Sequence, residues 1–249
     1  MKILAIIPAR MGSSRFPGKP MADLNGSPMI RHIYERTISC SLLDLTVVAT
    51  CDVEIAEYVR SIGGRAVMTS DKHVRATDRC AEAVTIVEDE DEVCFDIVVM
   101  VQGDEPMIRP EMITTGVQPL LEDPLIPVTT LLGRISSMDD LRDPNFIKIT
   151  CDKYGNALYF SRAPIAGTVD YPAVGRHVAI IPFRRDFLLE FASMVSTPLE
   201  ASEAIDMLRV LEHGYQVRMV PTDLPSHAVD TLEDLEKVST MMTALKKAD

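Results

Sequence analysis

Apolar residues first appear as short continuous runs. Ile3 to Ile7, Leu45 to Thr50, Arg65 to Met68 and Ile97 to Val101 each read as a buried strand. Stretches with a helical period lie between them. Met29 to Cys40 sets Ile30, Ile33, Tyr34 and Ile38 on one stripe, Val53 to Ile62 repeats the pattern, and Asp78 to Val87 follows Thr77, a residue suited to an N-cap. Strands without polar alternation, separated by amphipathic helices, predict βαβ units and a mostly parallel, Rossmann-like sheet covered on both faces.

The pattern changes after residue 128. Val128 to Ile135, Ile147 to Cys151 and Ala157 to Ser161 read as strands joined by turns, notably at Asp152 to Asn156. This predicts a small antiparallel excursion over roughly 128–177 within a single domain spanning 1–249, with an edge suited to a two-fold partner. Val178 to Phe183 then reads as a strand, Asp186 to Met194 as a helix and Ala201 to Glu212 as another, ended by Gly214. Gln216 to Val220 supplies a further strand, and Thr231 to Leu245 a last helix.

Composition narrows the function. The net charge of −12 removes the basic face that nucleic acids or anionic membranes require. Any anion is therefore held by a few placed cations. Five cysteines, at 40, 51, 80, 94 and 151, show neither a Cys-x-x-Cys pair nor a metal-ligand cluster, so reduced thiols in a cytoplasmic protein are expected. The apolar start is too short to span a bilayer and lacks a cleavage region, so no membrane insertion or export is expected.

The chemistry concentrates after the first strand. Pro8-Ala9-Arg10-Met11-Gly12-Ser13-Ser14-Arg15-Phe16-Pro17-Gly18-Lys19-Pro20 occupies the carboxyl end of a parallel strand, where open α/β sheets bind ligands. Gly12 and Gly18 permit turns that aim N–H groups at an anion, Ser13 and Ser14 add hydroxyls, and Arg10, Arg15 and Lys19 add cations. A solvated turn with incidental basic residues is the alternative. The loop matches neither the P-loop nor the Gly-x-Gly-x-x-Gly spacing, which disfavours those nucleotide folds.

This loop resembles the signature of the sugar-acid cytidylyltransferases, and in particular the 3-deoxy-manno-octulosonate cytidylyltransferase (CMP-Kdo synthetase) family. The resemblance continues through Asn25-Gly-Ser-Pro-Met-Ile, Val99-Met-Val-Gln-Gly-Asp-Glu-Pro, Asp143-Pro-Asn, Ala157-Leu-Tyr-Phe-Ser-Arg-Ala-Pro-Ile, Arg176-His177, Arg184-Arg-Asp-Phe-Leu, Pro198-Leu-Glu, Leu208-Arg, Leu211-Glu-His-Gly-Tyr and Val229-Asp-Thr. It implies an enzyme of nucleotidyltransferase fold that joins CMP from CTP to a 3-deoxy-2-ulosonic acid with Mg2+, and a homodimer serving lipopolysaccharide biosynthesis.

By the same resemblance, Pro8, Ala9, Arg10, Ser14, Arg15, Lys19, Arg75 and Thr77 would contact the nucleotide. Arg10, Lys19, Asp104 and Asp230 would be catalytic, and Asp104 and Asp230 would hold the metal. Hard carboxylate oxygens suit magnesium, which takes one or two of them. Gln102, Arg162, His177 and Glu203 would form the acceptor pocket. The plainer alternatives are caps for Asp104 and Asp230, a surface pair for Arg162, a core histidine for His177 and a solvent-facing Glu203.

Two departures bear on specificity. Where the family pattern has His-x-Ser-Gly-Thr-Asp/Glu-Arg, this chain has His73-Val74-Arg75-Ala76-Thr77-Asp78-Arg79. An aromatic expected after His177 is replaced by Ile181, followed by Pro182, and the stretch 166–175 is short against the family. A different ulosonic or nonulosonic acid, or a non-catalytic nucleotide-binding homologue, are the competing readings.

Overall fold

The computed structural model describes residues 1–13, 15–165 and 174–245. The first half runs β1 (Ile3–Ala9), a 3₁₀ turn (Lys19–Met21), a two-residue hairpin of β2 (Asp23–Leu24) and β3 (Ser27–Pro28), α1 (Met29–Ile38), β4 (Leu45–Thr50), α2 (Val53–Ser61), β5 (Arg65–Met68), α3 (Ala76–Asp91), β6 (Ile97–Val101) and α4 (Pro110–Glu122). The second runs β7 (Thr129–Gly133), α5 (Met138–Arg142), β8 (Lys148–Cys151), β9 (Ala157–Ser161), β10 (Val174–Val178), β11 (Ile180–Arg184), α6 (Arg185–Ser193), α7 (Pro198–Glu203), α8 (Met207–Glu212), β12 (Arg218–Thr222) and α9 (Leu232–Leu245).

The main sheet has the order β11-β6-β1-β4-β5 and is parallel except for β11. Every residue of β1 is buried because the sheet is covered twice. Ile3, Ala5 and Ile7 pack with Ile33 of α1, Val59 of α2 and Met112 of α4, whereas Leu4 and Ile6 pack with Val84 of α3 and Phe187 of α6. This double burial produces the continuous apolar runs in the sequence. Strand order reverses about β1, with β4 and β6 as its two neighbours, so a crevice opens at the carboxyl ends of β1 and β6. Gly103 makes the approach there close: a Cβ at that position would sit 2.4 Å from the carbonyl oxygen of Pro8.

The excursion is a second five-stranded sheet of order β12-β7-β10-β8-β9, antiparallel except where β12 runs parallel to β7. Its last strand comes from residues 218–222, beyond the expected range. The expected strand from Val178 to Phe183 divides at Ala179, where β10 ends in this second sheet and β11 begins in the main one.

Two helix starts and one helix span differ from expectation. Arg75, and not Thr77, stands at the N-cap of α3, because the Thr77 hydroxyl donates to Asp206 Oδ2 at 2.9 Å. The helix expected over 201–212 is two helices, broken where Ala204 adopts φ 55°. Ile205 is buried beyond the break and Asp206 is held by α3, so tertiary contacts override local helix propensity. At α9, Thr231 and Asp234 cap reciprocally through Thr231 N to Asp234 Oδ2 (2.9 Å) and Asp234 N to Thr231 Oγ1 (3.2 Å). Asp230 is thereby released from the capping role. Ser14 and the short stretch at 166–173 lie outside the described residues.

Candidate active site

A cavity of about 440 Å³ occupies the crevice, a volume suited to a small ligand. The loop after β1 forms one wall. It closes on itself through Gly18 N to Met11 O (2.9 Å), with Gly18 at φ 74°, and is tied to the sheet by Met11 N donating to Asp52 Oδ2 at 2.8 Å. Pro8, Ala9, Arg10, Arg15 and Lys19 all line the cavity. Arg10 is exposed and has no charged partner among the described residues, which leaves it available to an anion. Arg15 is engaged twice, with Asp230 Oδ1 at 3.0 Å and Asn145 Oδ1 at 3.0 Å.

Lys19 joins three parts of the site. Its ammonium donates to Asp104 Oδ2 (2.9 Å), to the carbonyl of Val229 (2.7 Å) and to Asp230 Oδ1 (3.4 Å). The Val229 N–H in turn donates to the carbonyl of Asp104 at 2.8 Å. The loops after β6 and before α9 are thus stitched together with their carboxylates facing one cation. Neither carboxylate caps a helix, so the capping alternatives fail for both. Two converging hard-oxygen donors fit magnesium, and among the described residues no third His, Cys, Asp or Glu completes a larger cluster.

The opposite wall comes from the second sheet and the α7–α8 connector. Arg162 and His177 line the cavity from this wall, Gln102 enters it from the end of β6, and Glu203 stands behind Arg162. Glu203 accepts from Ser161 Oγ (3.1 Å) and from the Arg162 N–H (2.9 Å), while Arg162 Nε donates to the Glu203 carbonyl at 3.1 Å. It therefore orients Arg162 and does not face solvent. His177 Nε2 lies 2.8 Å from Thr130 Oγ1, and desolvation of the ring pushes its pKa down to about 4. A neutral imidazole faces the cavity at neutral pH.

Thr77 and Asp230 do not line this cavity. Thr77 is fully buried against Asp206. Arg75 does line it, but its guanidinium is directed at protein carboxylates: Nη1 is 3.4 Å from Asp206 Oδ1 and Nε is 3.5 Å from Glu200 Oε1.

Several lining residues escaped the sequence reading. Glu105 is buried beside Asp104, accepts from Ser226 Oγ at 2.7 Å, and has its carboxyl pKa raised by burial to about 7 against that hydrogen bond. Arg176 donates to the Ser226 carbonyl at 2.8 Å and lies over the Phe146 ring. Arg79 is buried and donates to Thr69 Oγ1. All three stand inside the motifs of the family resemblance, and a charged side chain adjoining a buried strand was the available signal for Glu105.

Comparison with known proteins identifies the family. Over 251 residues the chain is 46% identical to the 3-deoxy-manno-octulosonate cytidylyltransferase of Geobacter metallireducens, covering 96% of each chain. It is 45% identical over 256 residues to the enzyme of that name from Syntrophotalea carbinolica, covering 98% of this chain and all of the other. The solved structure of CMP:2-keto-3-deoxy-manno-octonic acid synthetase complexed with CTP superposes with a TM-score of 0.86 at 37% identity, over 98% of this chain and 99% of that one. The family model described as cytidylyltransferase matches residues 4–224, and the chain belongs to that family of nucleotidyltransferases.

Proposed function

We propose that this enzyme transfers CMP from CTP to the anomeric hydroxyl of a 3-deoxy-2-ulosonic acid, Kdo or a close relative, and releases pyrophosphate. The observation that carries the reading is Lys19 set between Asp104 and Asp230 at the switch point, with Arg162 and neutral His177 on the facing wall. The names of its relatives support the choice of CTP and Kdo.

The triphosphate lies along the loop after β1. Backbone N–H groups of that loop and Arg10 take its oxygens, and Lys19 meets charge that grows on the departing pyrophosphate. Asp104 and Asp230 would hold Mg2+, which when bound neutralises phosphate charge and helps align in-line attack. Arg162, kept in place by Glu203, takes the acceptor carboxylate, and Gln102 and His177 take hydroxyl groups. A homodimer through the second sheet fits the exposed Leu158 on its β9 edge, and the unpaired state of all five cysteines suits a cytoplasmic setting.

The test is pyrophosphate release from CTP, Mg2+ and a sugar acid, comparing Kdo with its 8-amino relative and with sialic-type acids. Turnover with Kdo that needs all three components is expected. Equal turnover with UTP, or none with any ulosonic acid, would overturn the reading.

A further inference from the structure

Arg75 stands at the N-terminus of α3, on the wall expected to grip the nucleotide, yet its contacts run to the acceptor side. It reaches Asp206 at 3.4 Å and Glu200 at 3.5 Å, both beyond 120 residues away in sequence. Glu200 is fully buried and takes a two-pronged pair from Arg209. Asp206 lines the cavity and accepts from Thr77 Oγ1 at 2.9 Å. Two carboxylates and two guanidiniums therefore balance. Arg209 is engaged in the two-pronged pair with Glu200 and acts on Asp206 only from a distance, so Arg75, in ion-pair contact, is the principal countercharge of Asp206.

The placement matters because Asp206 follows the break at Ala204, and the residue before that break is Glu203, which orients Arg162. Thr77 and Arg75 thus hold the connector between α7 and α8 from across the cavity. Burial pushes the Asp206 carboxyl pKa up, and the Arg75 charge opposes that rise more than the Thr77 hydrogen bond or the Arg209 charge does.

We propose that Arg75 is a specificity-determining positioning residue for the acceptor: by compensating Asp206 it keeps this wall neutral toward an anionic sugar acid and fixes the connector that carries Glu203. This rests on the acceptor class proposed above. It also explains how an arginine is accommodated where the family pattern has a small residue, since the side chain is drawn to the α7–α8 connector and leaves the phosphate loop unobstructed.

The test compares Arg75→Ala, Arg75→Gln and the double variant Arg75→Ala/Asp206→Asn with wild type at pH 8.5. Read out are acceptor KM, CTP affinity by calorimetry without acceptor, and Tm. Arg75→Ala should raise acceptor KM about five- to tenfold, the scale of one uncompensated charge near a partly hydrated site. CTP affinity should stay within about twofold, and the double variant should recover most of the lost acceptor KM, as pairwise coupling requires. Arg75→Gln, which keeps the length and hydrogen-bonding ends needed if the alanine variant misfolds, should show the same direction. Weakened CTP binding would overturn the proposal by making Arg75 a nucleotide ligand, and so would an acceptor KM that the second substitution fails to restore. If wild type turns over no ulosonic acid, the function proposed above fails, while CTP calorimetry on Arg75→Ala still tests the nucleotide alternative: loss of affinity overturns the Arg75 assignment and retention supports it.

Discussion

Replacing Lys19 with methionine keeps the side-chain stem and removes the ammonium that Asp104, Asp230 and the Val229 carbonyl share. The Lys19 side chain is 12% exposed and the two carboxylates are 29% and 19% exposed, so the ion pairs lie between surface and buried regimes. Surface pairs contribute at most about 1 kcal/mol and breaking buried ones costs about 3–5, which places the expected loss near 1–3 kcal/mol. In a chain of this size that lowers Tm by roughly 3–9 °C. Differential scanning fluorimetry with and without Mg2+ separates the causes. The two carboxylates left facing one another should recruit the metal, so Mg2+ should raise the variant's Tm more than that of wild type. In the reaction, kcat should fall about 10²–10³-fold, the scale of losing one charge stabiliser. KM for CTP should change by less than about threefold, because leaving-group charge appears chiefly in the transition state. A variant with wild-type Tm and no enhanced Mg2+ response would refute the convergence of both carboxylates on Lys19. A defect confined to KM would refute its role in the transition state.

Glu203→Ala removes the acceptor of Ser161 and of the Arg162 N–H, and should raise acceptor KM about ten- to hundredfold with CTP affinity unchanged; a CTP defect would place Glu203 elsewhere in function. Gly103→Ala should cost about 1–3 kcal/mol in urea unfolding, because the new Cβ meets the Pro8 carbonyl and backbone cannot yield as a side chain does; wild-type stability would mean that the two loops sit farther apart. His177 has a folded pKa near 4, below its ordinary 6.5, so its share of stability is present above pH 6.5 and lost as pH falls toward 4. His177→Gln should therefore flatten that part of the Tm-pH curve, and an unchanged slope would contradict the burial of the ring.

The main sheet was legible because burial on both faces leaves its strands with uninterrupted apolar residues, and β1, β4 and β6 appear almost to the residue. The loop after β1 was equally legible, since its glycines and cations are contiguous. Residues whose meaning depends on distant partners were not. Thr77 looks like an N-cap in any local window, yet its hydroxyl is engaged by Asp206, 129 positions away. The break at Ala204 has no glycine or proline to announce it and is imposed by packing. Helix α4 went unread because Pro110 and Pro119 look like breakers, although proline suits the first helical turn and Pro119 falls in the last. Arg79, Glu105 and Arg176 carry no spacing that marks them, because each is placed by a different element: Arg79 by α3, Glu105 by the loop after β6 and Arg176 by β10.

The ribbon formed by β10 and β11 passes from one sheet to the other across the single residue Ala179, while β12 returns to the second sheet after three further helices. A bridge between Val128 and Phe183 adds a second tie between these sheets. The two substrate walls are consequently parts of one interlaced chain: no single cut of the backbone would release a nucleotide-binding half and an acceptor-binding half as separable modules, and exchanging the acceptor wall between relatives as a contiguous cassette would sever strands from both sheets.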